Sequence, residues 1–327
     1  METPDLKSQE RNHLLYSINQ TLCLRAIPED SSSHGPKEVQ VRVKKLEPEW
    51  TFSCGMLVEI LPNSARHLGL DEGTQAFIKL FDRRSAHSLR KCEKVDPWSA
   101  DIEDEFRHKL MSGDLRDFLA RLQTEEDDDE DDDEDWDAAE NEAWLADKML
   151  NCFQAEFSTY SALQKYQGDL IPRLIAQVTL QVVQPNDEQQ QDICLVKGIL
   201  LEYLEGFTLS SLAKCAPRSS WQNIVDQGIR ITHVLGDNKI LNTDVRPDNM
   251  MIVPLGNEEY RVFMIDFGHC RMRREDESDH DWVRAKWSQD EEGAIGVVMR
   301  GDLAKIGFRL HYENSGRYLE WADGEDD

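Results

Sequence analysis

Positive charge is scarce in this sequence. Its 37 Lys and Arg stand against 64 Asp and Glu, a formal net charge of −27. Eleven of those negatives sit in the unbroken run EEDDDEDDDED at residues 125–135, and −16 remains without them. A surface so acidic repels phosphate backbones and anionic headgroups, so neither nucleic acid nor a membrane is expected as the main partner. No apolar run approaches the length needed to span a bilayer. The start, METPDLKSQERNHLLYSINQ, lacks the basic-then-apolar order of a signal peptide. The seven cysteines (Cys23, Cys54, Cys92, Cys152, Cys194, Cys215, Cys270) are odd in number and never form Cys-x-x-Cys. That pattern sets a zinc site aside and fits reduced thiols in a cytoplasmic or nuclear protein. No internal repeat is visible. What is present is a chain of 327 residues, 39% hydrophobic, with eight Trp and eleven Phe. It can bury a sizeable core as one large two-lobed domain or two ordinary ones.

Residues 28–38, PEDSSSHGPKE, are turn formers and charges, and residues 1–40 read as a flexible leader. From there to residue 204 the pattern is rich in strands. VRVKKLEPEW alternates, CGMLVEIL is apolar, TQAFIKLF alternates after the turn signal LDEG, and LIAQVTLQVV and DICLVKGILLEYL follow. An insertion at 83–148 interrupts them, with one amphipathic helix expected in IEDEFRHKLMSGDLRDFLARL. Eleven consecutive like charges cannot pack, so 125–135 reads as a solvated, disordered spacer. Helical spacing returns in WLADKMLNCFQAEFSTYSALQKYQG, with Gly168 as its stop. Residues 205–327 are mainly helical, with a helix from about Ser220 to Leu235 closing at Gly236. One hairpin, MMIVPL–GNEE–YRVFMIDFG, interrupts them. The order is α+β, without the βαβ alternation of a parallel sheet.

LNTDVRPDNMMI, residues 241–252, is the chemically richest stretch. Pro247, Asp248 and Asn249 suit a turn. They also suit a metal-dependent loop, provided partners lie elsewhere. The hairpin supplies one, because paired strands bring their outer ends together, so Asp244, Asn249 and Asp266 should converge. Asn249 and Asp266 offer oxygens suited to Mg²⁺, and Asp244 could accept a proton from an attacking hydroxyl.

D-V-R-P-D-N followed by I-D-F-G resembles the catalytic loop and metal motif of the protein kinase superfamily. The resemblance implies a bilobal kinase-like fold: an antiparallel-sheet N-lobe with one helix (41–204) and a shortened, mainly helical C-lobe (205–327). It makes Asp244 the catalytic base and Asn249 and Asp266 the Mg²⁺ ligands. Arg246 stands where most kinases keep a phosphate-contacting lysine. A-F-I-K then puts Lys79 on the ATP phosphates, with Glu156 as its helix partner and Glu140 and Glu142 as rivals. Glu202 to Leu204, in ILLEYLEG, would meet adenine. The sequence departs from the family in four places. No G-x-G-x-x-G precedes Lys79, Asn242-Thr243 replaces His-Arg, no A-P-E follows D-F-G, and the insertion is unusually long. The ending DEEGAIGVVMRGDLAKIGF resembles divergent kinase-like proteins of filamentous fungi. The implied activity is transfer of the ATP γ-phosphate to a hydroxyl acceptor, protein or small molecule. The alternatives are a pseudokinase scaffold, with the acidic run docking a basic protein, and a Mg²⁺-ATP binder with another transfer chemistry.

Overall fold

The computed structural model describes residues 15–29, 35–47, 50, 52–124, 136–181 and 195–319. The acidic run 125–135 and Cys194 lie outside them. The chain divides into two compact units, residues up to Phe153 with Leu174–Glu202, and Gln154–Arg173 with Tyr203 onward.

The first unit is built on a closed barrel of six strands in the order β1-β2-β3-β4-β6-β5. In chain order these are β1 (Thr21–Pro28), β2 (Lys37–Glu47), β3 (Cys54–Ile60), β4 (Gln75–Phe81), β5 (Leu174–Gln181) and β6 (Leu195–Glu202), and every pairing is antiparallel. Helix α1 (Pro62–Leu68) links β3 to β4. The alternation in β1, TLCLRAIP, sends Leu22, Leu24 and Ala26 inward. They meet Val39, Val41 and Val43 of β2, Met56 and Val58 of β3, and Ala176 and Val178 of β5 in one core. Strand β1 corrects the expectation of a flexible leader over 1–40. Its residues pair with β2 on one side and β5 on the other.

Among the described residues four helices besides α1 take part in this unit, where one was expected in the insertion and one after it: α2 (His87–Cys92), α3 (Ala100–Ser112), α4 (Arg116–Thr124) and the first turns of α5 (Ala138–Ala162). The single helix expected over IEDEFRHKLMSGDLRDFLARL is two. Gly113, with φ +87°, takes the left-handed conformation that ends α3, a position only glycine occupies without strain. Phe106 and Leu110 of α3, Phe118 of α4, and Ala139 and Ala143 of α5 then close a small core of their own.

Buried charges tie the same helices down. Glu142, fully buried, accepts from Arg90 Nη1 at 2.6 Å and Nη2 at 2.8 Å and is also held by Arg83. Arg83 reaches on to Glu103 at 2.8 Å. At the end of β4 the buried Asp82 carboxylate accepts from Tyr16 at 2.6 Å and from Arg84 Nε at 2.9 Å and Nη2 at 2.7 Å. Burial alone would raise its pKa, but the Arg84 guanidinium and the Tyr16 hydroxyl hold the carboxyl below its ordinary value.

The second unit holds β7 (Phe207–Thr208), α6 (Leu212–Cys215), α7 (Trp221–Asp237), β8 (Ile240–Asn242), β9 (Met250–Gly256), β10 (Glu259–Met264), β11 (Cys270–Met272), α8 (Asp279–Gln289) and α9 (Glu291–Lys305). Strands β9 and β10 form the expected hairpin, turning on Asn257 (φ +51°) and Glu258 (φ +60°), and β7 pairs with β9. Gly236 does not end α7, which runs to Asp237 with Asn238 as its cap. The glycine serves close packing instead, since a Cβ there would lie 2.5 Å from the Tyr318 hydroxyl. Helix α8 falls in a stretch read only as charged, and Ser278 caps it by accepting from the Asp281 amide at 3.0 Å.

Candidate active site

Strand β8 delivers the chain to Asn242, which is fully buried. Its Oδ1 accepts from the Asp244 amide at 2.8 Å, and Thr243 N–H donates to His269 O at 3.1 Å. The backbone therefore turns sharply and carries Asp244 out of the strand half-exposed. Pro247 to Asn249 form a single 3₁₀ turn, which the fixed φ of proline favours. That turn brings Asn249 back over Asp244. Asn249 Nδ2 donates to Asp244 O at 2.9 Å and to Asp244 Oδ2 at 3.0 Å. Arg246, more exposed, lies 3.4 Å from the same carboxylate oxygen. Asp248 faces away and holds Ser210 Oγ through its Oδ1.

The hairpin sets the backbone of Ile265 against Asn249. Met250 pairs with Met264, and the Ile265 amide donates to Asn249 O at 2.9 Å, so Asp266 follows directly after a residue bonded to Asn249. Asp266 has φ +66°, a left-handed backbone that non-glycine residues adopt only at a cost. The next residue, Phe267, is fully buried and meets the Tyr160 ring edge-on with centroids 5.3 Å apart. Tyr160 belongs to the same helix as Glu156, which is also fully buried. Burial pushes the Cys270 thiol up, and the charges of Glu156 and Asp266 push it further, so both carboxylates act on one buried position.

The second unit thus holds Asp244, Arg246, Asn249 and Asp266 on one loop and hairpin, and its helix with Glu156 packs through Tyr160 on Phe267. Lys79 lies in the first unit, 7% exposed on β4, paired with Gly55 of β3 on one side and Ile199 of β6 on the other. Its ammonium sits 5.8 Å from the Phe81 ring centroid. Glu202 ends β6 opposite Ala76, and Leu204 follows where the chain enters the second unit; both are half-buried. Glu142, the rival to Glu156, is taken up by Arg83 and Arg90. Glu140 is at the start of α5, where its carboxylate accepts from the Asp137 amide at 2.9 Å.

Sequence reasoning missed a second layer under the loop. The Asn242 amide donates to Glu291 Oε1 at 2.7 Å, and Lys286 Nζ bonds to Glu291 Oε2 and to Ile240 O, the latter at 3.0 Å. A Ser-x-x-Asp capping signal at Ser278 could have located the helix that carries Lys286.

Among the described residues no group of three or more His, Cys, Asp or Glu side chains is arranged for a metal ion. The donor set present, one carboxylate and one amide, fits Mg²⁺, which keeps several waters and phosphate oxygens around one or two protein ligands. Asn249 commits its nitrogen to Asp244, which leaves its oxygen as the ligand atom. No helix among the described residues is long and apolar enough to cross a membrane.

No family model matches the chain, and no curated protein matches it. Among solved structures it is similar to the ROP18 kinase domain in complex with AMP-PNP and sucrose, at 11% identity and a TM-score of 0.44. The match covers 84% of this chain and spans 63% of that kinase domain. The fold is mixed, with an antiparallel barrel over residues 21–202 and helices both within that span and after it.

Proposed function

We propose that the chain has a protein kinase-like fold and transfers the γ-phosphoryl group of ATP to a hydroxyl acceptor, with Mg²⁺. The observation that carries this reading is the pair of hydrogen bonds from Asn249 to Asp244, closed by the Ile265–Asn249 bond that sets Asp266 alongside. Phosphoryl transfer asks the protein mainly for positioning and charge neutralisation, and a rigid loop of this kind supplies positioning.

In the proposed reaction Asp244 accepts the proton of the acceptor hydroxyl as its oxygen bonds to the γ-phosphorus and ADP departs. Asn249 holds the Asp244 carboxylate in one orientation. Arg246, within reach of Asp244, would turn to the transferring phosphoryl group and spread its charge. Asn249 and Asp266 would hold Mg²⁺, which neutralises phosphate charge. Lys79 and Glu156 are the groups assigned to the nucleotide, with Glu202 to Leu204 for the base. The burial of both charged side chains fits a task that pairing at the surface does not need.

The second reading is a pseudokinase scaffold, favoured by the missing glycine-rich cover and by the ion pair that Arg246 already makes with Asp244. A thermal-shift titration with ATP and Mg²⁺ separates the two, since a ligand bound only by the native state raises Tm. A shift at millimolar nucleotide is expected for the enzyme. Asp244→Asn should keep that shift and lower turnover by roughly 10²- to 10⁴-fold. Unchanged turnover would sink the base assignment, and the absence of any shift would favour the scaffold.

A further inference from the structure

The second unit holds a cavity of about 530 Å³ that the chemistry above does not use. Thr232 and His233 of α7, Lys286 of α8, and Glu291 and Glu292 at the start of α9 line it on one side. The other wall comes from residues 314–319 of the segment 311–319, which carries little regular structure yet is fastened along its length. Gln222 and His311 exchange two hydrogen bonds, at 3.0 and 2.9 Å. Arg300 donates to Tyr312 O at 3.3 Å, and Ser315 donates to Glu292 through its amide at 3.0 Å and its hydroxyl at 2.5 Å. Arg317 donates to His233 O at 3.2 Å and pairs with Asp237. Two glycines make room for it. A Cβ on Gly296 would fall 2.2 Å from the Tyr312 ring, and one on Gly236 would fall 2.5 Å from the Tyr318 hydroxyl.

At the back of the cavity Lys286, 2% exposed, lies 5.9 Å from the ring centroids of both Trp282 and Tyr318. Its ammonium bonds to Ile240 O and to Glu291, whose other oxygen takes the Asn242 amide. Asn242 Oδ1 in turn takes the Asp244 amide. A continuous chain of polar contacts therefore runs from the wall of the cavity to the loop that bears Asp244. An ion pair kept from water is much stronger than a wet one, because the local dielectric is low.

We infer that Lys286 and the segment 311–319 act together as a positioning device for the Asp244 loop. The segment keeps water from the Lys286–Glu291 pair, and the pair fixes the backbone at Ile240 and Asn242. The inference deepens the phosphotransfer reading and rests on it only for what Asp244 does.

The test is amide hydrogen exchange on the full chain, read at Asn242 and Asp244, whose acceptors are the Glu291 and Asn242 side chains. Strand amides of β9 and β10 serve as the internal reference. Gly296→Ala sets a methyl group into the Tyr312 ring and should lift the segment. Exchange at Asn242 and Asp244 is then expected to rise roughly tenfold or more while the reference amides stay protected. Lys286→Met should give the same selective change. If it unfolds the chain, Gly296→Ala alone decides. Unchanged protection at both amides in Gly296→Ala overturns the inference, and so does an equal rise throughout the unit, which would make the segment a general stabiliser. No nucleotide enters the measurement, so a failure of the phosphotransfer reading leaves this result standing.

Discussion

At the scale of single residues, Asn249 links two jobs, since its nitrogen orients Asp244 and its oxygen is left for a cation. Asn249→Ala should therefore weaken both turnover and the Mg²⁺-dependent part of nucleotide binding, and steady-state kinetics against magnesium concentration would show whether the two fall together. Asp266 carries a different signature. Its left-handed backbone costs roughly 1 kcal/mol, which glycine does not bear. Asp266→Gly is expected to raise the unfolding free energy by about that amount while abolishing the Mg²⁺-dependent rise in Tm that ATP gives. Urea titration with and without nucleotide measures both, and a destabilised variant would show that the strain reading is wrong. Asp244, Asn249 and Asp266 were legible in the sequence because a short turn and one hairpin place them, and both are written in adjacent residues. Lys286 and Glu291 were not, because their partners Ile240 and Asn242 lie 46 and 49 positions away and no local pattern announces them.

At the scale of elements, the strands β2 to β6 and the β9–β10 hairpin follow from alternation and turn chemistry. Strand β1 alternates as clearly, yet it stands beside PEDSSSHGPKE, and the turn formers there suggested a leader. Pairing with β5, some 150 positions on, is what makes it a strand. Helices α3 and α4 read as one because their apolar spacing continues through Gly113, whose left-handed φ only the folded chain reveals. The insertion also proved to contain structure that composition concealed. Its cohesion rests on Glu142, where two arginines meet one carboxylate away from water. Removing one partner from such a cluster leaves the other charges buried and uncompensated. Glu142→Gln should cost about 3 to 5 kcal/mol in chemical denaturation, well above the fraction of a kcal/mol typical of exposed pairs. A near-neutral result would mean that water reaches Arg83 and Arg90. Within the barrel, Gly198 faces the Lys79 carbonyl so closely that a Cβ would lie 2.4 Å from it, so Gly198→Ala should part β6 from β4 and lower Tm.

At the scale of the whole molecule, acid should be the condition that undoes it. Asp82 and Glu103 both hold pKa values below their ordinary ones: burial would raise each, and Arg84 and Arg83 respectively outweigh it. A carboxyl depressed in the folded state stabilises above its unfolded pKa, and that stability is lost as pH falls through the lower folded value. The expected loss sets in below about pH 4, and Asp82→Asn, less stable at neutral pH, should show a shallower decline in circular dichroism melts. The barrel has a consequence of another kind. Because hydrogen bonding runs around all six strands, the first unit offers, among the described residues, no exposed sheet margin for a peptide to extend. Recognition by strand addition is closed to it, so whatever binds this unit must read side chains, turns or the helices of residues 83–148. Remove residues 21–28 and that exclusion ends. The freed flanks of β2 and β5 would then recruit other copies of the chain, and light scattering would register the difference.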